Sequence, residues 1–330
     1  MKARPQYEIT LCGRKVRLGA RTLLMGVLNV TPDSFSDGGL YFDRGRAVEH
    51  ALEMARQGAD WIDVGGESTR PGAKPVSEEE ELRRVLPVIA QLHKRLPKLP
   101  ISIDTTKAVV AEQSIRAGAS LINDVSGLRF DERIAEVARR YRTPLVLMHL
   151  RGHPATMQQK PFARSILRSL TIGLTWSIRR ALSLGARRSQ LIIDPGLGFG
   201  KTRRQNYEIL AHLTHLQRFR LPILVGASRK SFVQAIVAGE GLKATRTAGG
   251  SYWKLTAKSH RGLRATNQPQ APDRQNTDFL AQLQYGDAAA VAAAILGGAH
   301  IVRVHDVAAI RPAARIADAI LAALANDIDD

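Results

Sequence analysis

Cysteine is almost missing: the 330 residues contain one, Cys12. A single thiol excludes an internal disulfide and suits a reducing, cytoplasmic setting. It also leaves no Cys/His cluster for zinc chemistry. Cys12 lies in an N-terminal segment that reads as a small hairpin, a poor place for a catalytic nucleophile. Aromatic residues are scarce, at 5%. No apolar run reads as long enough to cross a bilayer, so no membrane partner is expected. The opening MKARPQYEIT leads into no apolar core, so no secretory signal is expected. Two familiar nucleotide and hydrolase signatures are lacking too. The glycine-rich GLGFGK lacks P-loop spacing, and GESTRPG lacks the G-x-S-x-G of a serine-hydrolase elbow.

Acidic residues are outnumbered. There are 48 Lys and Arg against 30 Asp and Glu, a net charge of +18. Such a field favours anionic ligands, phosphates or nucleic acid. The basic residues are spread along the chain without one dominant block, and a basic enzyme would carry the same excess.

Against these shortages stands a regular alternation. Eight short apolar runs recur: TLLMGVLNV, DWIDVGG, PISIDT, SLINDVSG, PLVLMH, LIIDPG, PILVGAS and HIVRVHD. Near-continuous apolar strands are what a parallel sheet covered on both faces requires. Amphipathic helical patterns lie between them. RGRAVEHALEMARQG sets Val48, Leu52 and Ala55 on one face and closes at Gly58. SEEEELRRVLPVIAQLHKRL opens with Ser77 as an N-cap and acids in its first turn. Eight strands alternating with helices predict an α/β fold, a (β/α)8 TIM barrel, in a single domain over residues 1–330. A doubly wound open sheet is the alternative, and the count of eight favours the barrel. Residues 242–285 break the alternation. They are polar, basic and weakly periodic, and read as an insertion after strand 7, with Tyr252, Trp253 and Phe279 available to form a small cluster of its own.

Barrel enzymes carry their chemistry at the C-terminal ends of the strands. Read in order, those ends give Asn29, then Glu67 to Pro71 in GGESTRPGA, then Asp104, Asn123, Met148 and His149. Asp194 follows, then Ser228, Arg229 and Lys230, then Arg303, His305 and Asp306. Asp104, Asn123 and Asp194 with Lys230 make a set suited to a flat heterocycle that offers N–H donors and ring acceptors. Any one of them could be a satisfied buried residue or a helix cap. Arg303 and His305, two apart on strand 8, point to one side, with Arg70 and Lys230 adding positive charge. They suit an anion such as a diphosphate, with Mg²⁺ shared between it and Asn29.

These motifs resemble a known family. LNVTPDSFSDGG, DVGGESTRPGA, SIDTTK, INDVSG, LMH, DPGLGFGKT, GASRKSF and RVHDV occur in the order seen in dihydropteroate synthases of folate biosynthesis. The resemblance runs from about Met25 over most of the chain, the 242–285 segment excepted. It implies condensation of 6-hydroxymethyl-7,8-dihydropterin diphosphate with 4-aminobenzoate, giving 7,8-dihydropteroate and diphosphate. By the same resemblance Asp104, Asn123, Met148, Asp194 and Lys230 hold the pterin. Arg303 and His305, with Thr69 beside them, hold the diphosphate, and Asn29 also touches Mg²⁺. Arg70, Pro71, Phe199 and Ser228 line the aminobenzoate pocket. Asp104, Lys230, Arg303 and His305 form the catalytic group, Asp104 as an electrostatic partner rather than a base. The loop after strand 1 becomes a lid, with Phe35 as its contact to the aromatic substrate and Gly38–Gly39 as a hinge. The family's substitution is dissociative and needs no covalent protein nucleophile. Leu197 replaces an aromatic common in the family. A homodimer and membership of a class of sulfonamide targets complete what the resemblance implies.

Two other readings compete. A methyltransferase domain passing a methyl group to a corrinoid shares the barrel and the pterin-binding acids. It has no use for a leaving-group site such as NVTPDSFSD, STRPG and RVH supply. A basic protein binding nucleic acid through residues 242–285 is motivated by the +18 charge. It has no RNA-binding signature, and nucleic acid is not an expected partner.

Overall fold

The computed structural model describes residues 4–11, 14–31, 40–68, 75–153, 156–157, 164–239, 242–246, 253–257 and 274–326. Eight parallel strands form one sheet: β3 (Leu23–Asn29), β4 (Trp61–Gly65), β5 (Ile101–Asp104), β6 (Leu121–Asp124), β7 (Leu145–Met148), β8 (Leu191–Asp194), β9 (Leu224–Val225) and β12 (Ile301–Val304). Neighbours follow chain order from β3 to β8, and β12 lies between β3 and β9. A parallel bridge from Ile193 to Ile223 joins the two ends and closes the barrel. Helices α1 (Leu40–Gln57), α2 (Glu78–Arg95), α3 (Ala108–Arg116), α4 (Arg133–Tyr141), α5 (Ile166–Ser183), α6 (Arg203–Ala211), α7 (Ser231–Val237), α8 (Arg274–Leu296) and α9 (Val307–Asn326) wrap it. The expected (β/α)8 barrel is the fold.

The local signals explain the helix ends. Ser77 caps α2, its hydroxyl accepting from the Glu80 N–H at 3.2 Å, and four acids fill the first turn. Thr202 and Gln205 cap α6 reciprocally. Gly58, after α1, has φ +102°, where a side chain would be strained.

Alternation along each strand divides the interior. Outward residues such as Ile62, Val64 and Ile103 pack under the helices in the main core. Inward residues at the N-terminal end make a second cluster: Leu23, Met25, Trp61, Leu121, Val146, Ile192, Leu224 and Ile301. The expected N-terminal hairpin seals that end. Strands β1 (Tyr7–Leu11) and β2 (Arg14–Leu18) pair antiparallel and add Ile9, Leu11 and Leu18 to this cluster. Arg4 straps it down through Thr22, the Ala299 carbonyl and Asp318.

Two expectations need correction. Residues 242–285 are not one stretch without elements. Strands β10 (Leu242–Arg246) and β11 (Trp253–Ala257) pair antiparallel, and residues 274–285 already belong to α8. Over residues 279–285 little is buried: Leu280 and Tyr285 are exposed while Leu283 is buried, so the helical period was diluted in the sequence. Phe279 packs against the main core rather than within an insertion cluster. The second correction concerns hydropathy. Phe279–Leu296 is long and apolar enough to cross a membrane by composition. It packs against α7, α9 and β12 as an outer helix of the barrel.

Candidate active site

The C-terminal half of the barrel interior is charged. Arg303 reaches across from β12 and ion-pairs with two carboxylates. Its Nε donates to Asp63 Oδ2 at 2.5 Å and its Nη2 to Asp104 Oδ2 at 2.8 Å. Asp63 Oδ2 also accepts from Asn123 Nδ2 at 3.0 Å. Asp63 and Asn123 are buried, and Asp104 nearly so. Asp194, at the end of β8, accepts from the Gly196 N–H at 2.6 Å. Lys230 Nζ stands 4.2 Å from the centre of the Phe199 ring, a cation–π contact. Met148 and Phe199 belong to one apolar cluster with Val125, Leu150 and Met157, which forms a wall beside these charges.

Burial shifts the proton affinities in this chamber. Asp194 is pushed up to about 6 by burial, against the Gly196 N–H and the Lys230 charge. Burial also raises Asp104; Arg303 opposes the shift and Asp63 adds to it. Lys230 is lowered to about 8 by burial and by Arg303, with Asp194 and Asp104 pulling the other way. Carboxylates and amine thus titrate close to neutrality, as groups matched to a ligand or a reaction do.

The remaining predicted residues divide. Asn29 ends β3, and its Oδ1 lies on the Gly65 side of the chamber. A Cβ at Gly65 would sit 3.8 Å from Asp104 Oδ2 and 3.9 Å from Asn29 Oδ1, so glycine keeps the space between them open. Ser228 is buried and gives its hydroxyl to Asp287 Oδ2 at 2.9 Å. His305 Nδ1 lies 3.2 Å from the same hydroxyl. His149 is buried, and its ring faces α5 at Gly173. Glu67 is held by Lys107 and by the Val76 N–H. Phe35, Thr69, Arg70 and Pro71, together with the Gly38–Gly39 pair, lie outside the described residues.

Three participants were missed in the sequence. Asp63 was passed over as a strand residue, although an Asp two before inward-facing Gly65 must also face inward. Asp287, at the start of the alanine-rich run, accepts from the Arg229 N–H and from Ser228. It thereby fixes the turn that carries Lys230. Lys201 is buried, its Nζ donating to the carbonyls of His149, Gly196 and Phe199 at 2.7 to 3.0 Å. A cavity of about 710 Å³ opens elsewhere, at the start of α5, lined by Arg129, Arg151, Arg164 and Arg168. It shares none of the charged residues of the barrel chamber.

Barrel and chamber together fit a class: (β/α)8 enzymes that keep a charged site at the C-terminal ends of their strands. Residues 25–266 match the family described as pterin binding enzyme. The dihydropteroate synthase of Synechocystis is 40% identical over 92% of this chain and 91% of its own. That of Escherichia coli is 39% identical over 92% of this chain and 93% of its own. Among solved structures, the Yersinia pestis synthase with a sulfonamide drug superposes with TM-score 0.77 at 38% identity, covering 95% of this chain and 98% of that one. The Xanthomonas albilineans synthase with 4-aminobenzoic acid gives 0.77 at 36%, covering 96% and 98%. The chain belongs to the pterin-binding enzymes, in the dihydropteroate synthase family. Its reaction is the transferase step of folate synthesis, joining 6-hydroxymethyl-7,8-dihydropterin diphosphate to 4-aminobenzoate with release of diphosphate.

Proposed function

We propose that the charged chamber binds the pterin edge-on and that the mouth above it receives diphosphate and aminobenzoate. The observation that carries this reading is the pairing of Arg303 with Asp63 and Asp104, beside Asn123, Asp194 and Lys230, in one buried space. Asp104 and Asp194, ionised, accept N–H groups of the amino-pyrimidine. Asn123 accepts or donates at its edge, and Met148 packs on its face. Lys230, held over Phe199, donates to a ring carbonyl or nitrogen. The substitution at the pterin methylene breaks its C–O bond to diphosphate and forms a C–N bond to the arylamine. Arg303, His305 and Thr69 compensate the charge gathering on the leaving group. The same resemblance assigns Phe35, Arg70, Pro71 and Ser228 to the aminobenzoate.

A magnesium ion fits this site through Asn29. Among the described residues no group of three or more His, Cys, Asp or Glu side chains could hold a metal. Mg²⁺ keeps most of its waters and takes few protein ligands, so one amide oxygen with diphosphate oxygens suffices. When bound it would offset leaving-group charge as a Lewis acid. A homodimer is supported by exposed Leu280 and Tyr285 on α8 beside exposed Ile316 and Ile320 on α9. A cytoplasmic setting fits the single cysteine.

Purified protein supplied with the pterin diphosphate, 4-aminobenzoate and Mg²⁺ is expected to release diphosphate and form dihydropteroate. Release no faster than without enzyme overturns the reading.

A further inference from the structure

Asp63 is the most enclosed charge in the chamber: its side chain is 0% exposed, two residues below Gly65 on β4. One of its oxygens, Oδ2, accepts from both Arg303 Nε and Asn123 Nδ2. The other, Oδ1, is buried and has no partner among the described residues. Ser102, its register partner on β5, also carries a buried hydroxyl without a partner there.

An ionised carboxylate can only accept hydrogen bonds. That fact orients both neighbours. Asn123 must turn its Nδ2 toward Asp63, so its Oδ1 is the atom left to accept from a ligand N–H. Arg303 is gripped at Nε by Asp63 and at Nη2 by Asp104, so the plane of its guanidinium is set by carboxylates on two different strands. A single carboxylate on Arg303 would leave the plane free to turn about that contact.

We propose that Asp63 is a positioning residue of this enzyme, dictating the amide orientation of Asn123 and the guanidinium plane of Arg303 and thereby the fit of the pterin. The inference rests on the roles proposed for those two residues, Asn123 at the pterin edge and Arg303 at the leaving diphosphate. Asp63 does not touch the reacting atoms; it acts through its two clients. Its unpaired oxygen and the Ser102 hydroxyl mark a polar layer directly beneath the substrate site, where an apolar floor would otherwise be expected.

The test uses Asp63→Asn, which keeps size and one acceptor but can also donate, so it no longer dictates the Asn123 amide. The expected result is a loss of kcat/KM for the pterin diphosphate of roughly 10-fold or more, as misplacement of contact groups produces. KM for 4-aminobenzoate stays near that of the unaltered enzyme, and Asp104 remains on Arg303 as its counter-charge, so the melting temperature falls less than in Arg303→Ala. The same change is then made in Arg303→Ala. There one client is gone, so Asp63→Asn costs a distinctly smaller factor. In the double variant Asp104 is the one carboxylate of the two left without Arg303, so the loss in that variant is compared with that of Arg303→Ala at matched distance below each melting temperature. Full kcat/KM in Asp63→Asn overturns the proposal. So does an equal loss in both backgrounds, or a loss that merely follows a lowered melting temperature. If Arg303→Ala and Asn123→Ala themselves leave pterin kinetics unchanged, it is the underlying site assignment that fails, not the role of Asp63.

Discussion

At its N-terminal end the barrel interior is filled by Leu23, Met25, Trp61 and Ile301, closed beneath by Ile9, Leu11 and Leu18 of the hairpin. One step along the same strands toward the other end it is filled by Asp63, Asp104, Asn123, Asp194 and Arg303. β4 carries both worlds, with Trp61 in the first and Asp63 in the second. Burying the apolar end removes hydrocarbon from water and is favourable by itself. Burying the polar end costs desolvation, which pairing only partly returns. The difference teaches which end is maintained for stability and which for chemistry, and it can be broken from either side.

The largest effect is expected at Arg303. Arg303→Ala leaves Asp63 and Asp104 facing each other without the cation between them. Loss of one partner from a buried ion pair costs about 3–5 kcal/mol of stability. Turnover is expected to fall on the order of 1,000-fold, since leaving-group compensation is lost and Asp63 and Asp104 lose the cation that sets them. Steady-state kinetics and thermal melting check both. Near-normal turnover would remove Arg303 from the catalytic group.

Next comes the pH profile, which separates the two titrating ends of the chamber. Lys230 loses its proton as pH rises through about 8. Asp104 and Asp194 lose their charges as pH falls through about 7 and about 6. The kcat/KM for the pterin diphosphate is therefore expected to peak between them, since this parameter follows the free enzyme. Lys230→Ala should lower that peak on the order of 100-fold and abolish the alkaline limb while keeping the acidic one. An alkaline limb that survives the substitution assigns it to another group.

Asp194→Asn tests the cost of the polar end directly. Its folded proton affinity lies above the unfolded value of 3.8, so the folded state binds more protons between that value and about 6. Stability contributed by this group is present below the unfolded value and is lost as pH rises to about 6. At pH 7 the neutral amide is thus expected to melt no lower than the carboxylate, while kcat/KM falls on the order of 10-fold. Repeated at pH 4, the melting advantage should disappear. A melting temperature well below that of the unaltered enzyme at pH 7 would place Asp194 among the stabilising residues instead.

The barrel was legible because eight apolar runs alternate with amphipathic helices, a pattern with few other solutions. Asp104, Asn123 and Asp194 were legible because each closes its strand, where barrel chemistry sits. Asp63 was not, because it lies inside an apolar run and its partners Asn123 and Arg303 are far away in sequence; only closure of the sheet brings them together. Asp287 escaped for a related reason. It opens an alanine-rich helix and looks like a cap, yet its carboxylate ties down Ser228 and Arg229 on another element. Where α8 begins was obscured because over residues 279–285 Leu283 alone is buried, among polar residues that a helix and a loop share.

The smallest effect on activity is expected at the apolar end. Leu18 is fully buried in the hairpin, with Ile9 and Leu11 beside it on the plug. Leu18→Ala removes three carbons from a packed cluster and leaves a cavity, costing about 2–5 kcal/mol. None of the charged chamber residues belongs to that cluster. Assayed well below the melting temperature, the variant is therefore expected to keep kcat and both KM values within about 2-fold of the unaltered enzyme, because the lost packing weakens the fold without moving the groups that meet substrate. It should melt markedly lower. If instead the pterin KM rises while melting is unaffected, the plug communicates with Asp63 through Trp61, and the two ends of the barrel are not the separate structures that their side chains suggest.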